Sequence, residues 1–222
     1  MITFITATRC NCPAFEHQPL GLSLARLGYD DRINYHATFN NTQGLPSFYN
    51  SCIQIGDDDD VLIFTHDDVW LDDYFVADRV VDGLKKFDII GVAGNRILRP
   101  SHVGWFFKDD LSQREDPANT SGAVAHHGTP IAPISPFGAT PASCELLDGV
   151  LLAAKRSTLR GASVEFDPKF EFHFYDLDLC RTARKAGLTL GTWPIAITHN
   201  SGGSFGSPAW QHALQIYRAK WG

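Results

Sequence analysis

One short stretch limits the fold more than any other. Val61-Leu62-Ile63-Phe64-Thr65 is a short, mainly apolar run without alternation, followed at once by His66-Asp67-Asp68. A strand with one wet face alternates apolar and polar residues; a run without alternation is the pattern of a strand covered on both faces. Such a strand belongs inside a sheet flanked by helices, which sets the class as α/β, with a mostly parallel central sheet. The neighbouring segments agree. Strand patterns fall at 2–6, 33–39, 89–93, 146–154 and 189–198. Between them lie helix patterns at 20–27, closed by Gly28, at 46–55, opened by Pro46 and closed by Gly56, and at 177–186, closed by Gly187. A further helix is expected over 72–87, with Phe75, Val76, Val80 and Leu84 on one stripe. The last helix begins with Ser207 as N-cap and Pro208 in its first position.

At 222 residues the chain is about 1.5 times the roughly 150 residues of an average domain. With no internal repeat or low-complexity tract, residues 1–222 read as a single domain. Periodicity disappears between about 109 and 143, where Pro117, Pro130, Pro133, Pro136 and Pro141 punctuate a stretch that includes His126-His127. That stretch is expected to be a long irregular loop, a lid or a binding loop. Lys and Arg number 19 against 25 Asp and Glu, a formal charge of −6, so no footprint for a phosphate backbone is visible and nucleic acid is not an expected partner. The amino-terminal segment has neither a basic start nor a long apolar core, and no run approaches the ~18 apolar residues of a transmembrane segment; a cytoplasmic location is expected. Of the five cysteines, the only close pair, Cys10 and Cys12, has one intervening residue rather than the two of a redox or zinc motif, so all read as free thiols.

Three segments carry chemistry. Ligands of open α/β sheets collect at the carboxyl ends of strands, which is where His66, Asp67 and Asp68 stand. Two adjacent carboxylates and an imidazole need a cation or donors to satisfy them, and a divalent metal is the simplest; a helix N-cap or solvated turn is the structural alternative. Asp57 to Asp60, at the opposite end of the same strand, read as a solvated turn. In Phe172-His173-Phe174-Tyr175-Asp176-Leu177-Asp178, Asp176 lies at a helix start and Asp178 in its first turn. Both suit the free N–H groups there, while the aromatic setting suits a general base with a raised pKa. His173 either lines the site or packs. His199, in Thr198-His199-Asn200-Ser201-Gly202-Gly203-Ser204, ends a strand, and a neutral imidazole there is either structural or completes a carboxylate metal site.

In order and spacing these segments resemble the inverting family-2 glycosyltransferases of the glycosyltransferase-A fold, particularly a short bacterial branch. The matching segments are ITATRCN, LPSFYNSCIQIG, His66-Asp67-Asp68 in place of the Asp-x-Asp motif, LLDGVLLAAKR, FHFYDLDLCRTARKAG and THNSGGS. The resemblance implies a metal-dependent transfer of a sugar from a nucleotide-diphosphate donor to a saccharide or other hydroxyl acceptor. It implies Asp68 and His199 as ligands of Mn²⁺ or Mg²⁺, and Asp176 as catalytic base. On the donor side it implies Thr8, Arg9, Asn41, Asn50, His66 and Asp67; on the acceptor side, Asp148 and His173. Phe39-Asn40-Asn41 stands where the family carries an Asp-Asp pair, and His66 where it carries the first Asp of its motif.

Two other readings use the same residues. His66-x-Asp68 with a distant His199 is also the two-His, one-carboxylate set of non-haem Fe(II) oxygenases, whose sites usually sit in all-β folds. A sugar- or nucleotide-binding relative without turnover would keep the architecture and lose the chemistry.

Overall fold

The computed structural model describes residues 1–100, 102–126, 132–201 and 204–222. The chain opens with β1 (Ile2–Ala7), the one-turn α1 (Cys12–Phe15), α2 (Pro19–Arg26), β2 (Ile33–Thr38) and α3 (Leu45–Gln54). Then come β3 (Val61–Thr65), β4 (Val69–Leu71), α4 (Val76–Gly83), β5 (Ile89–Gly91) and β6 (Ala93–Asn95). The middle of the chain supplies β7 (Thr120–His126), β8 (Ile134–Gly138), β9 (Ala142–Cys144), β10 (Leu146–Leu147) and β11 (Leu151–Lys155). It ends with α5 (Arg156–Gly161), α6 (Tyr175–Lys185), β12 (Leu190–Thr192), β13 (Ile197–His199) and α7 (Pro208–Trp221).

The main sheet runs β2-β1-β3-β11-β5-β12-β9, and all five residues of β3 are buried, as the unalternating run requires. β1 is parallel to β2 and β3, and β5 and β12 run the same way, while β11 and β9 enter antiparallel, so five of the seven strands share one direction and the sheet is mostly parallel. A second sheet, β10-β6-β7-β13-β4 with β8 on β7, sits beyond the carboxyl end of β3. Its strand β4 grows directly out of the loop that follows β3. The core joins Phe4 and Ile5 of β1, Leu62 to Phe64 of β3, Leu20 of α2, Tyr49 and Ile53 of α3, and Phe166. Each such side chain, fully buried, contributes about 1.5–3 kcal/mol of transfer free energy.

Several expected elements are shorter or interrupted. The helix expected from 72 begins at Val76: Asp73 accepts the Phe75 N–H at 2.9 Å in a local turn, and Phe75 is 64% exposed rather than on the buried stripe. The strand expected over 89–93 changes sheets at Val92. There Gly122 of β7, at φ +99°, comes so close that a Cβ would stand 1.9 Å from the Val92 carbonyl oxygen. The segment 146–154 is divided into β10 and β11 by the turn Asp148–Val150, and 189–198 is interrupted around Pro194, which has no N–H to give a ladder. The stretch 109–143 is no single irregular loop. It holds β7, which lies between β6 and β13, together with β8 and the start of β9. The small residues of Thr120-Ser121-Gly122-Ala123 give strands without an apolar period. His127 and Gly202-Gly203 lie outside the described residues. Among those described, no helix is long and apolar enough to cross a membrane.

Candidate active site

The site is built where the two sheets meet. β3 ends at Thr65, whose hydroxyl donates to the Val150 carbonyl at 2.8 Å, and the next three residues form the link to β4. β13 runs antiparallel to β4 with His199 opposite Val69, and the Asn200 N–H donates to the Asp68 carbonyl at 3.0 Å. This register brings His199, 131 positions further along the chain by numbering (199 − 68), against Asp68. One ligand atom each from His66, Asp68 and His199 falls within 4.8 Å of the others.

The polar accounting at this point is unusual. Asp68 Oδ1 and His199 Nε2 are buried and pair only with each other, at 3.3 Å; neither has a further hydrogen-bond partner. Buried polar atoms are nearly always satisfied, because leaving one unpaired costs about 1–3 kcal/mol. With its lone pair on Nε2, His199 converges with Asp68 and a second imidazole as three ligand atoms that could hold a divalent cation. Burial, then the neighbouring His199, pushes the His66 pKa down, which keeps the ring neutral and able to ligate. Burial opposes ionisation of Asp68, but His199 and then His66 outweigh it and lower its pKa; His199 is raised because Asp68 overcomes the burial of its ring.

Across the cleft stands the amino end of α6. Phe174, just before it, has φ +65°, a left-handed conformation that costs a non-glycine residue on the order of 1 kcal/mol or more. Phe174 is held there by packing on Trp210 and Tyr217 of α7, with ring centroids 5.3 and 5.0 Å away. The sharp turn starts the helix at Tyr175 and places Asp176 in its first turn, where its Oδ2 accepts the Gly149 N–H at 2.9 Å. Burial and the adjacent Asp148 carboxylate push the Asp176 pKa up to about 7, suited to accepting a proton near neutrality. Asp178, on the other side of the helix, accepts from Trp221 Nε1 at 2.7 Å and from Lys220 at 2.8 Å; it ties α6 to α7.

A cavity of about 110 Å³ brings His66 and Asp176 onto one wall system with Trp105, Asp148, Phe172 and His173; Asp68 and His199 lie outside its lining. Asp148 is fixed by Trp105 Nε1 at 2.6 Å and by the Val150 N–H at 2.9 Å. A larger cavity of about 730 Å³ lies on the far side of β13, lined by Trp70, Trp193 and Thr198. It contains none of the converging groups; His199 and Thr198, as strand neighbours, point to opposite faces.

The remaining expected residues are spread along the β1 side. The Thr8 hydroxyl donates to Asp67 Oδ2, which locks the ends of β1 and β3 together. Arg9 is exposed and makes no ion pair among the described residues. Asn41 closes its own loop through Gln43, and its N–H donates to the Thr8 carbonyl at 2.8 Å. Asn50 is not brought to the cleft group: its amide donates to the Phe166 carbonyl at 2.7 Å and its oxygen accepts the Phe166 N–H at 2.9 Å. Sequence reasoning missed Trp105 as the partner of Asp148 and saw Tyr175 only as an aromatic flank. The signal for Trp105 was a Trp-Phe-Phe cluster inside a polar region.

This arrangement of sheets and helices is a glycosyltransferase-A-like fold. Solved structures share it over almost the whole chain. GalNAc-T7 with UDP, GalNAc and Mn²⁺ aligns over 99% of this chain and 48% of its own, with TM-score 0.54 and 10% identity. S. aureus TarS aligns over 99% and 39%, with TM-score 0.54 and 10% identity. The mannosyltransferase PcManGT from Pyrobaculum calidifontis, in complex with GDP-Man and Mn²⁺, aligns over 98% and 64%, with TM-score 0.50 and 13% identity. The chain thus spans less than two thirds of the length of each of these structures. Comparison with protein-family models and with curated sequences finds no match.

Proposed function

We propose that the chain is a metal-dependent, inverting glycosyltransferase that moves a sugar from a nucleotide-diphosphate donor to a saccharide or other hydroxyl acceptor. The observation that carries this reading is the convergence of the buried Asp68 and His199 atoms with His66, facing a base of raised pKa across one cleft. The solved neighbours add support, since two of them hold Mn²⁺ with a nucleotide or nucleotide sugar.

Asp68 and His199 would hold Mn²⁺ or Mg²⁺, with His66 as a third ligand, and the ion would supply positive charge to the donor diphosphate and its leaving group. Asp176 takes the proton from the acceptor hydroxyl as that oxygen attacks the anomeric carbon from the face opposite the diphosphate, which inverts that centre. Trp105 holds Asp148, whose charge adds to burial in keeping the Asp176 pKa high, and His173 borders the acceptor side. Thr8 and Asp67 fix the strand ends beneath the donor, with Arg9 and Asn41 along the same edge. Five free thiols suit a reducing, cytoplasmic setting.

The test is a panel of UDP-, GDP- and dTDP-sugars with Mn²⁺ and saccharide acceptors, reading product and anomeric configuration by NMR. Inverted product supports the proposal; retained configuration or no transfer from any donor sinks it. The iron-oxygenase reading uses the same three ligands but is at odds with the mixed α/β fold, and succinate formed from 2-oxoglutarate with Fe(II) would restore it. Nucleotide-sugar binding without transfer would favour the non-catalytic relative.

A further inference from the structure

His66 occupies the hinge between the cation site and the base, and its surroundings determine more than its position. Its ring stacks on Phe172 at 5.6 Å between centroids and 26° between planes, and its Nε2 lies 3.0 Å from the Tyr175 hydroxyl. That hydroxyl has a single hydrogen, and it is given to the Gly149 carbonyl at 2.9 Å. A carbonyl oxygen cannot donate in return, so toward His66 the Tyr175 oxygen can only accept. The proton of the neutral imidazole must therefore sit on Nε2, which leaves the lone pair on Nδ1. The same residue carries the link onward on the other side of its Cα: the Gly149 N–H donates to Asp176 Oδ2 at 2.9 Å. Gly149 is required for this approach, because a Cβ there would stand 2.4 Å from the Tyr175 oxygen.

We propose that Tyr175 is a positioning residue that holds His66 in its Nε2–H tautomer, so that Nδ1 is the atom His66 offers a divalent cation, and that Tyr175 and the Gly149 backbone join this ligand to the Asp176 carboxylate. The proposal deepens the glycosyltransferase reading and rests on it for the identity of the cation. A ligating imidazole whose other nitrogen is hydrogen-bonded is oriented and made more basic, and losing such a partner costs about 10- to 100-fold in metal affinity. The link also explains why a tyrosine, buried beside a carboxylate, keeps its hydroxyl where phenylalanine would pack as well.

Two measurements test this. In metal-free wild-type protein at pH 8, long-range ¹H–¹⁵N correlation should show His66 protonated on Nε2; an Nδ1–H tautomer overturns the proposal. In a double-mutant cycle read by Mn²⁺ titration with electron paramagnetic resonance, Tyr175→Phe should weaken Mn²⁺ binding about 10- to 100-fold, and should cost nothing further in a His66→Ala background. Unchanged affinity in Tyr175→Phe, or an equal loss in both backgrounds, makes Tyr175 merely structural and overturns the proposal. If sugar transfer is found without these effects, the functional reading stands and the tautomer link falls. If the effects are found with no transfer from any nucleotide sugar, the link stands and the functional reading falls.

Discussion

The two ends of β3 carry acidic clusters that look alike in sequence and differ in what satisfies them. At the amino end, Asp60 takes the chain's own amino terminus at 2.9 Å and Arg156 at 3.2 Å, while Asp58 pairs with Arg160. Arg156 is 4% exposed and also donates to the carbonyls of Cys52, Ile55 and Asp57, where α3 runs out of helical donors. Asp58 and Asp60 thus have partners from the protein, while Asp57 and Asp59 are exposed to water. At the carboxyl end, Asp68 and His199 keep buried polar atoms with no partner but each other. Acid count therefore says little about a site; what separates structure from function here is whether the fold completes its own hydrogen bonds.

If that distinction is right, substitutions at the two ends should fail in different assays. The largest effect is expected at the base facing the carboxyl end. Asp176→Asn should cut transfer by about 10²- to 10⁴-fold in steady-state kinetics while nucleotide binding persists. In the wild type the base is active when deprotonated, so transfer should fall as pH drops below about 7. Stability runs the other way: between the ordinary carboxyl range and about 7 the folded state holds a proton that the unfolded chain has released, so this group's contribution declines as pH rises through that window. Asp176→Asn should flatten that slope in denaturant melts across pH.

At the amino end, Arg156→Met strands Asp60 and several carbonyls, and should cost about 3–5 kcal/mol in urea unfolding while leaving Mn²⁺ affinity unchanged. Asp68→Asn should do the reverse, weakening Mn²⁺ binding on the order of 10²-fold by calorimetry with little loss of stability. A destabilised Asp68 variant with normal Mn²⁺ affinity would erase the contrast. The smallest effect belongs to Asp58, whose side chain is 67% exposed: Asp58→Ala should change stability by less than about 1 kcal/mol.

The same contrast explains what was legible in the sequence. The β3 run, the caps at Ser207 and Pro208, and the strand-end placement of His66, Asp68 and His199 are local patterns, and the structure has them where periodicity puts them. The proximity of Asp68 to His199 depends on the pairing of β4 with β13, and β4 has three residues, too few to show a period. Asp176 and Asp178 are two apart and indistinguishable by composition; only the packing of α7 against one side of α6 assigns Trp221 and Lys220 to Asp178. Asn50 is placed on the donor side by the resemblance alone, and its actual partner, the Phe166 backbone, is 116 residues away. The second sheet was hidden because β7 uses small residues and β8 contains Pro136.

The most direct test of the account is nucleotide binding measured with and without metal. Isothermal titration of UDP and GDP should show affinity for one of them in the presence of Mn²⁺, lost when EDTA is added or when Asp68 is replaced by Asn. Binding that is indifferent to Mn²⁺, or that survives in Asp68→Asn unchanged, would contradict the claim that the buried pair at the end of β3 is a cation site serving a nucleotide diphosphate.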